Sequence, residues 1–383
     1  MHKRHRFFWK FFRPLVVLFL KIRFGYKFEK PKNLPENYIV IANHATDYDM
    51  LLAGVAFKNP MYFVGSEHIS RWKLLYPFLK FAFSPILRYK GMLGTSGVIE
   101  ILQRAKKGAN ICLFAEGVRS WDGCPSPVLP STAALVKRAK CGLVTYKLIG
   151  GYFVSPVWSG KNLRRGYLRG EPVNVYTKEQ IAAMSNEEIY EAIVRDIGED
   201  AYARQLVEPK RYRGKNLSLG LDRLLFLCPS CRSNGTLHAT GDAVKCGHCG
   251  LAFSYDEYGM LNGSPYKTIK DFVAWQKEQV VLDVTNNVTY TVPDASLSSV
   301  ENHEEKAVAH GMLSIDREWI RCGNFEARLS DLSGLAIHGK NALVFMANKT
   351  YYELLLSTSD SAMKFVYYFN ACQEANACAT ARK

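Results

Sequence analysis

The chain has 383 residues, 48% of them hydrophobic, with ten cysteines and a formal net charge of +15. That length implies two to three domains with substantial cores, and the scattered cysteines give no framework for a small disulfide-stapled secreted scaffold. The charge is uneven: residues 1–30 hold nine Lys or Arg against one Glu, or +8, which points the N-terminus at an anionic bilayer rather than at nucleic acid.

The first element expected is a basic amphipathic helix within residues 1–30. At about 100° per residue, Lys3, Arg6, Lys10, Arg13 and Lys21 fall on one side. Phe7, Phe8, Phe11, Phe12, Leu15, Leu18, Phe19 and Ile22 cover most of the rest. Such a helix lies in the headgroup region with its cationic stems reaching outward. Pro14 is expected to kink or break it. The longest uncharged stretch, Pro14 to Leu20, is too short to span a bilayer, which takes roughly 20 apolar residues. A cleaved signal peptide and a helix docked on the protein's own core are the competing readings. Residues 31–36, with Pro31 and Pro35, read as a connector.

Tyr38 to Ala42 is a short apolar run that stops at Asn43-His44, and Asp49 opens the helix-like segment up to Phe57. A strand ending in His, with a carboxylate across the turn, presents an oriented imidazole at the carboxyl edge of a sheet. Imidazole accepts a proton near neutral pH, and a carboxylate on its other nitrogen would fix the tautomer. Tyr62 falls in a second strand, Met61 to Val64; His68 reads as a surface or packing residue. The aromatic run from Lys73 to Tyr89 is core or the wall of an apolar groove, and it ends at Arg88 and Lys90, a cationic pair beside Gly91. Thr95 to Lys107 is an amphipathic helix stopped by Gly108. It returns the chain to a strand, Ile111 to Ala115, which opens into Glu116-Gly117-Val118-Arg119-Ser120. Glycine frees that turn and Arg supplies a planar fork for phosphate oxygens. A base on one strand end and an anion clamp on another suggest transfer onto a phosphate-bearing alcohol.

These two runs, Asn43 to Asp49 and Phe114 to Ser120, resemble the paired motifs of the glycerolipid acyltransferases, Asn-His-x4-Asp and Phe-Pro-Glu-Gly-Thr-Arg-Ser. The block Ile86 to Gly91 and the apolar block around Pro156, Val154 to Val157, resemble two further motifs in the right order. Ala115 and Val118 depart from the pattern, replacing Pro and Thr. The resemblance implies an α/β acyltransferase domain, a mixed sheet covered by helices. It implies His44 as the base and Asp49 as its orienting partner. Arg88, Lys90 and Arg119 would hold the acceptor's phosphate, and Pro156 would line the acyl or acceptor pocket. Glu116 beside Gly117 is too like-charged to touch a phosphate, and is expected to hold basic side chains or backbone amides in place.

Further on, Ser131 to Ala139 reads as a helix capped by Ser131 or Thr132. Leu143 to Leu148 and Tyr152 to Trp158 read as strands broken at Gly150-Gly151, with Pro156 at an edge or bulge. Arg164-Arg165 belongs to a basic rim or an exposed loop. Thr177 to Gln180 and Ser185 to Glu188 are capping boxes for two helices, ending near residue 207.

Cys228-x2-Cys231 and Cys246-x2-Cys249, fourteen residues apart, fit one tetrahedral zinc held by four thiolates, a closed structural site with no place for catalysis. His248 is a spacer. From about Ser264 the pattern is mostly alternating β, with a hairpin at Asn286-Asn287 and a closing helix from Ser359 to Glu374 capped near Asp360. Strands followed by one helix resemble a pleckstrin-homology-like domain. His303, His310 and His338 read as ordinary residues.

The organisation expected is an interface helix (1–30), an acyltransferase domain (31–222), a zinc ribbon (223–262) and a mostly-β domain with a closing helix (263–383). The function expected is O-acyl transfer at the cytoplasmic face of a membrane, by a peripheral or monotopic enzyme. The donor would be a thioester of acyl carrier protein or coenzyme A, and the acceptor the free hydroxyl of 1-acyl-glycerol-3-phosphate. Membrane phospholipid is an expected partner; nucleic acid and a redox cofactor are not. Another lysophospholipid acceptor, or a non-catalytic lipid-binding scaffold, are the alternatives.

Overall fold

The computed structural model describes residues 3–66, 69–70, 73–88, 95–301, 304–356 and 360–381, of which 88, 95–96 and 377–381 are described by their backbone alone. Lys90, His68 and His303 lie outside the described residues, as does Ser359. The chain divides into two compact units, one of residues 1–157 and 163–214, the other of residues 158–162 and 215–383.

The first unit begins with α1 (Lys3–Phe24), which runs unbroken through Pro14. Lys10, whose carbonyl loses its helical donor to Pro14, is exposed to solvent, as is Pro14; water can take the freed group, so the predicted break does not occur. Then follow β1 (Lys27–Phe28), β2 (Tyr38–Ala42), α2 (Asp49–Ala56), β3 (Tyr62–Ser66), α3 (Tyr76–Ala82), β4 (Ile86–Arg88), α4 (Thr95–Lys106) and β5 (Ile111–Phe114). The unit continues with α5 (Ser131–Ala139), β6 (Gly142–Ile149), α6 (Gly151–Val154), β7 (Arg169–Tyr176), α7 (Lys178–Ala183), α8 (Asn186–Ile197) and α9 (Ala201–Val207).

The strands order as β1-β7-β6-β2-β5-β3-β4. β2 lies at the centre, wholly buried and parallel to both β5 and β6, while β7 runs antiparallel to β6. Such a doubly covered strand needs apolar residues on both faces, which is why Tyr38 to Ala42 shows no alternation. Ile39, Ile41, Ile111 and Leu143 pack with Ile101, Leu135, Val136, Ile189 and Ile193 from α4, α5 and α8. On the other face Phe57, at the end of α2, meets Tyr38 and Tyr146 with ring centroids 5.7 Å away in each case. The mixed sheet with helical cover agrees with the expected class.

Several local expectations are corrected. α5 carries no side-chain cap; its N-cap position is Pro130, and Thr132 is buried. Residues 152–158 are not a strand: α6 and a 3₁₀ turn at Val157–Ser159 flank Pro156. A short apolar run suits a buried helical turn as well as a strand. Both capping boxes are present, on Thr177 with Gln180 and Ser185 with Glu188. A third helix, α9, follows behind the Asp200 cap. Arg164 is buried rather than part of a rim. Arg13 does not face outward: its Nε and Nη2 both donate to the carbonyl of Val55, at 3.0 and 2.8 Å. That fork satisfies a last-turn carbonyl of α2 and fastens α1 to it. The run around α3 is not core, because Leu74, Leu75, Phe78 and Phe81 are exposed.

In the second unit β8 (Leu237–Thr240), β9 (Ala243–Cys246), β10 (Ala252–Tyr255) and β11 (Leu261–Asn262) form an antiparallel sheet in the order β11-β10-β9-β8. Next comes α10 (Ile269–Thr285), where the sequence suggested strand up to a hairpin at Asn286. Buried Ile269, Phe272, Val273, Gln276, Val280 and Val284 lie at helical spacing, behind the Thr268 cap. The Gln276 amide accepts from Phe226 and Leu227 and donates to the Leu224 carbonyl, so a buried polar group is fully used.

The remaining strands are β12 (Tyr290–Glu301), β13 (Glu304–Ile315), β14 (Trp319–Cys322), β15 (Phe325–Arg328), β16 (Leu332–His338), β17 (Ala342–Ala347) and β18 (Thr350–Leu356). They order as β15-β14-β13-β12-β18-β17-β16, each neighbouring pair antiparallel, and α11 (Met363–Ala381) follows. A mostly-β region ending in a helix is as expected. His310 is less ordinary than its sequence context suggested, since it meets Ser296 and Asp294, both at 3.1 Å.

Candidate active site

The parallel register sets Ala42 of β2 beside Phe114 of β5. The turns leaving these strands are therefore neighbours, at the carboxyl edge where open α/β sheets carry their sites. His44 sits on the first turn and Glu116 to Ser120 on the second. Arg88 ends β4, parallel to β3 and on the same edge of the sheet, two strands from β5.

His44 Nδ1 is 2.8 Å from Asp49 Oδ2, with the His side chain 25% exposed and the Asp side chain fully covered. Asp49 begins α2, and its carboxylate also accepts the Ala45 and Thr46 amides at 2.6 and 2.8 Å and the Thr46 hydroxyl at 2.6 Å. A carboxylate receiving three donors besides the ring is held in one orientation, and it holds the imidazole in turn. The ring stacks on Phe114, centroids 4.7 Å apart at 21°. Among the described residues the His44 Nε2 has no partner, and His44 lines a small cleft with Asn43, Glu116, Ser120 and Tyr152. A base oriented from behind and open in front is suited to remove a proton.

Glu116 fulfils the backbone-amide expectation. Oε1 accepts from His44 N at 3.2 Å and Oε2 from Ser126 N at 3.1 Å. Burial pushes its carboxyl up to about 8; the two backbone bonds pull the other way, and the nearby Asp49 charge adds to the rise. Gly117 takes φ +73, where a Cβ would strain the turn. Arg119 Nη1 pairs with Asp47 Oδ1 at 2.8 Å, and Ser120 N donates to the His44 carbonyl at 3.0 Å. The structure thus brings together His44, Asp49, Glu116 and Gly117, with Arg119 joined to the same turn through Asp47. Pro156 is buried after α6 and is not part of the cleft wall. The side chain of Arg88 and the whole of Lys90 fall outside the described residues.

Sequence reasoning missed several parts of the wall. Asn43 exchanges two hydrogen bonds with the Leu148 backbone, at 2.9 and 2.7 Å, which fixes the strand end before His44. Its place next to His44 was the available signal. Gly151 packs so closely that an added Cβ would lie 3.0 Å from Thr46 and 3.2 Å from Ala45. Cys124, Tyr152 and Glu199 also line the cleft. They come from distant segments, and no local pattern marks them.

In the second unit, Cys228, Cys231, Cys246 and Cys249 place their sulfurs within 4.8 Å of one another. The Cys228–Cys249 and Cys231–Cys246 separations are 3.6 and 3.8 Å. A tetrahedron of thiolates about 2.3 Å from zinc has edges of about 3.8 Å. The knuckles turn alike: Arg232 N donates to Cys228 O and Gly250 N to Cys246 O, with φ of +58 and +78 at the two turning residues. His248 is exposed outside this cluster.

Residues 25–159 match the family model described as Acyltransferase. The chain carries an acyltransferase-family domain. The family expected from the two strand-end motifs is borne out at this level. Similar solved structures include the 1-acyl-sn-glycerophosphate (LPA) acyltransferase PlsC from Thermotoga maritima. It is 17% identical with a TM-score of 0.41, covering 52% of this chain and 81% of that one. The N-terminal PH domain of human ARAP2 is 11% identical with a TM-score of 0.19, covering 23% and 81%. The C-terminal domain of an unknown protein from Leishmania infantum is 13% identical with a TM-score of 0.13, covering 22% and 83%. The comparison with curated proteins gave no match. These likenesses are too distant to carry a substrate or partner across to the acyltransferase domain.

Proposed function

We propose that the protein is a membrane-associated glycerolipid acyltransferase. It transfers an acyl group from an acyl carrier protein or coenzyme A thioester to the free hydroxyl of 1-acyl-glycerol-3-phosphate, giving phosphatidic acid. The observation that carries this reading is the His44–Asp49 pair, buried on the Asp side and open on the His side, within an acyltransferase-family domain.

In the reaction, His44 Nε2 takes the acceptor's hydroxyl proton as the oxygen attacks the thioester carbonyl. The new C–O bond forms, the C–S bond breaks, and the departing thiolate recovers the proton from the imidazolium. Asp49 keeps the proton on Nδ1 and stabilises the ring while it is charged. Arg119, with Arg88 and Lys90, holds the acceptor's phosphate and so positions the hydroxyl, an effect that can contribute several kcal/mol.

Membrane association is supported by the outer face of α1, where Phe7, Phe11, Leu15, Leu18, Phe19 and Ile22 are exposed among basic residues. Exposed Phe78 and Phe81 on α3 extend that face; Phe8 of α1 packs on both, centroids 5.9 and 6.0 Å apart. Among the described residues no helix is long and apolar enough to cross a membrane, so the proposed attachment is peripheral or monotopic. The cytoplasmic face is proposed because a four-thiolate cluster needs reduced cysteines. Cys228, Cys231, Cys246 and Cys249 are proposed to hold a structural zinc, which would stabilise the ribbon and take no part in acyl transfer. The following β region is proposed as pleckstrin-homology-like.

The test is acyl transfer on liposomes by purified full-length protein, with a panel of lysolipids and both thioester types. Wild type is expected to make phosphatidic acid, and His44→Ala to lose turnover by at least about 10²-fold while still binding liposomes. Product that survives His44→Ala, or no product from any pair, would overturn the assignment.

A further inference from the structure

Arg119, read above as a clamp for the acceptor's phosphate, already has an anionic partner. The inference below rests on that reading. Its Nη1 donates to Asp47 Oδ1 at 2.8 Å, and the two side chains differ greatly in cover: 18% of Arg119 is exposed against 68% of Asp47. Guanidinium recognises carboxylate and phosphate oxygens in the same way, so Asp47 stands where a phosphate oxygen could bind.

We propose that Asp47 is a displaceable counter-ion that competes with the acceptor's phosphate for Arg119, and thereby sets the affinity for phosphate-bearing acceptors. The asymmetry of cover decides which partner moves. Arg119 is packed and keeps its place, while Asp47 can turn into water at little cost. The backbone on either side of Asp47 is tied down. Thr46 donates its amide and its hydroxyl to Asp49, and Tyr48 N donates to the Thr46 hydroxyl at 3.0 Å. Exchange is therefore a rotation of one side chain, and the turn that carries His44 is not disturbed.

Asp47 opposes the incoming anion twice. It must first give up the guanidinium, and its charge then repels the phosphate that replaces it. Both effects act through a solvent-exposed carboxylate, so both weaken as salt rises. The Ser120 amide on the His44 carbonyl ties the Arg119 turn to the base. An anion held by Arg119 is thus held close to the reacting hydroxyl, and the ease of displacing Asp47 bears directly on acceptor binding.

The experiment is a calorimetric titration of the full-length protein with sn-glycerol 3-phosphate, a soluble phosphomonoester that reports on the clamp without needing turnover. Wild type, Asp47→Asn, Arg119→Gln and the double variant are compared at low and high salt, each checked for folding by thermal melting. Asp47→Asn is expected to bind roughly three- to fivefold tighter at low salt. The gain should shrink at high salt and vanish when Arg119 is also replaced. If Asp47→Asn binds equally or more weakly while Arg119→Gln loses binding, the counter-ion proposal is overturned and the phosphate clamp stands. If Arg119→Gln binds as wild type does, the clamp reading fails and the proposal falls with it.

Discussion

The Glu116 carboxylate accepts the backbone amide of His44 at 3.2 Å although 72 residues separate the two in the chain. Its second oxygen holds Ser126, so one buried group pins the loops that leave two adjacent strands.

That arrangement predicts a pH signature. Burial raises the carboxyl of Glu116 to about 8, from an ordinary value of 4.5. Its folded pKa is thus above its unfolded one. The favourable contribution of the protonated group is complete below about pH 4.5, and is lost progressively as pH rises through 8. Wild type should lose stability relative to Glu116→Gln across that window, by roughly 3–5 kcal/mol at most, with no further loss above it. The amide can accept only one of the two N–H groups, so Glu116→Gln should be the less stable protein at low pH. Chemical unfolding of both proteins at pH 5, 7 and 9 measures this. A difference that does not vary with pH would sink the argument.

Asp49→Asn should be much more harmful to catalysis than to folding. Asp49 accepts from His44, two backbone amides and the Thr46 hydroxyl. An Asn there would turn an NH₂ group against one set of donors and lose the charge that stabilises the imidazolium. Turnover should fall about 10³-fold or more, with a stability loss of about 1–3 kcal/mol. Thr46→Val removes one of these bonds and also the hydroxyl that accepts from Tyr48 N, costing about 1–3 kcal/mol, and should keep most of its turnover. Steady-state kinetics beside thermal melts separate the two effects. Retention of a tenth of wild-type turnover by Asp49→Asn would contradict the assigned role.

The pair His44–Asp49 and the Glu116 turn were legible because each depends on a few residues next to a strand end. The sheet then brings them together, since an unalternating apolar strand must lie centrally between parallel neighbours. The rest of the cleft was hidden for the same reason in reverse. Tyr152, Cys124 and Glu199 arrive from separate elements, and only the packed chain sets them beside His44. Local ambiguity explains the other misses. Val280 to Val284 is rich in β-branched residues, so propensity favoured a strand. The 3.6-residue spacing of buried Phe272, Val273, Gln276 and Val280 overrode it once a face was available to cover.

The proposed membrane face can be tested without touching the site. Phe7, Phe11 and Leu18 are all more than half exposed on α1, unlike Trp9, Leu20 and Phe24, which anchor the helix. Replacing the three exposed residues by Ser should leave the thermal midpoint within a few degrees. A large apolar side chain contributes up to about 1.5–3 kcal/mol when removed from water, and each inserts only in part. Together the three changes should lower partition onto anionic liposomes by about 10²-fold, measured by flotation. Replacing Lys3, Arg6 and Lys10 by Gln should also weaken binding, and this loss should fade with salt, as surface attraction does. Unchanged flotation of the Ser variant would remove α1 from the attachment.

Removal of the proposed zinc should separate stability from chemistry. The four sulfurs belong to the second unit, whereas His44 and Asp49 belong to the first. A closed four-thiolate site has no open position for a substrate or a water. A strong chelator, or Cys246→Ser, should therefore loosen residues 223–262, seen as faster amide exchange in β8 to β10 and earlier proteolysis there. Backbone protection around His44 should be retained, and turnover per folded molecule should fall less than about threefold. Metal analysis of the purified protein should find one zinc per chain and none in Cys246→Ser. If chelation abolished turnover while exchange throughout the chain stayed as in wild type, the metal would have to act in the chemistry, and its assignment as structural would be wrong.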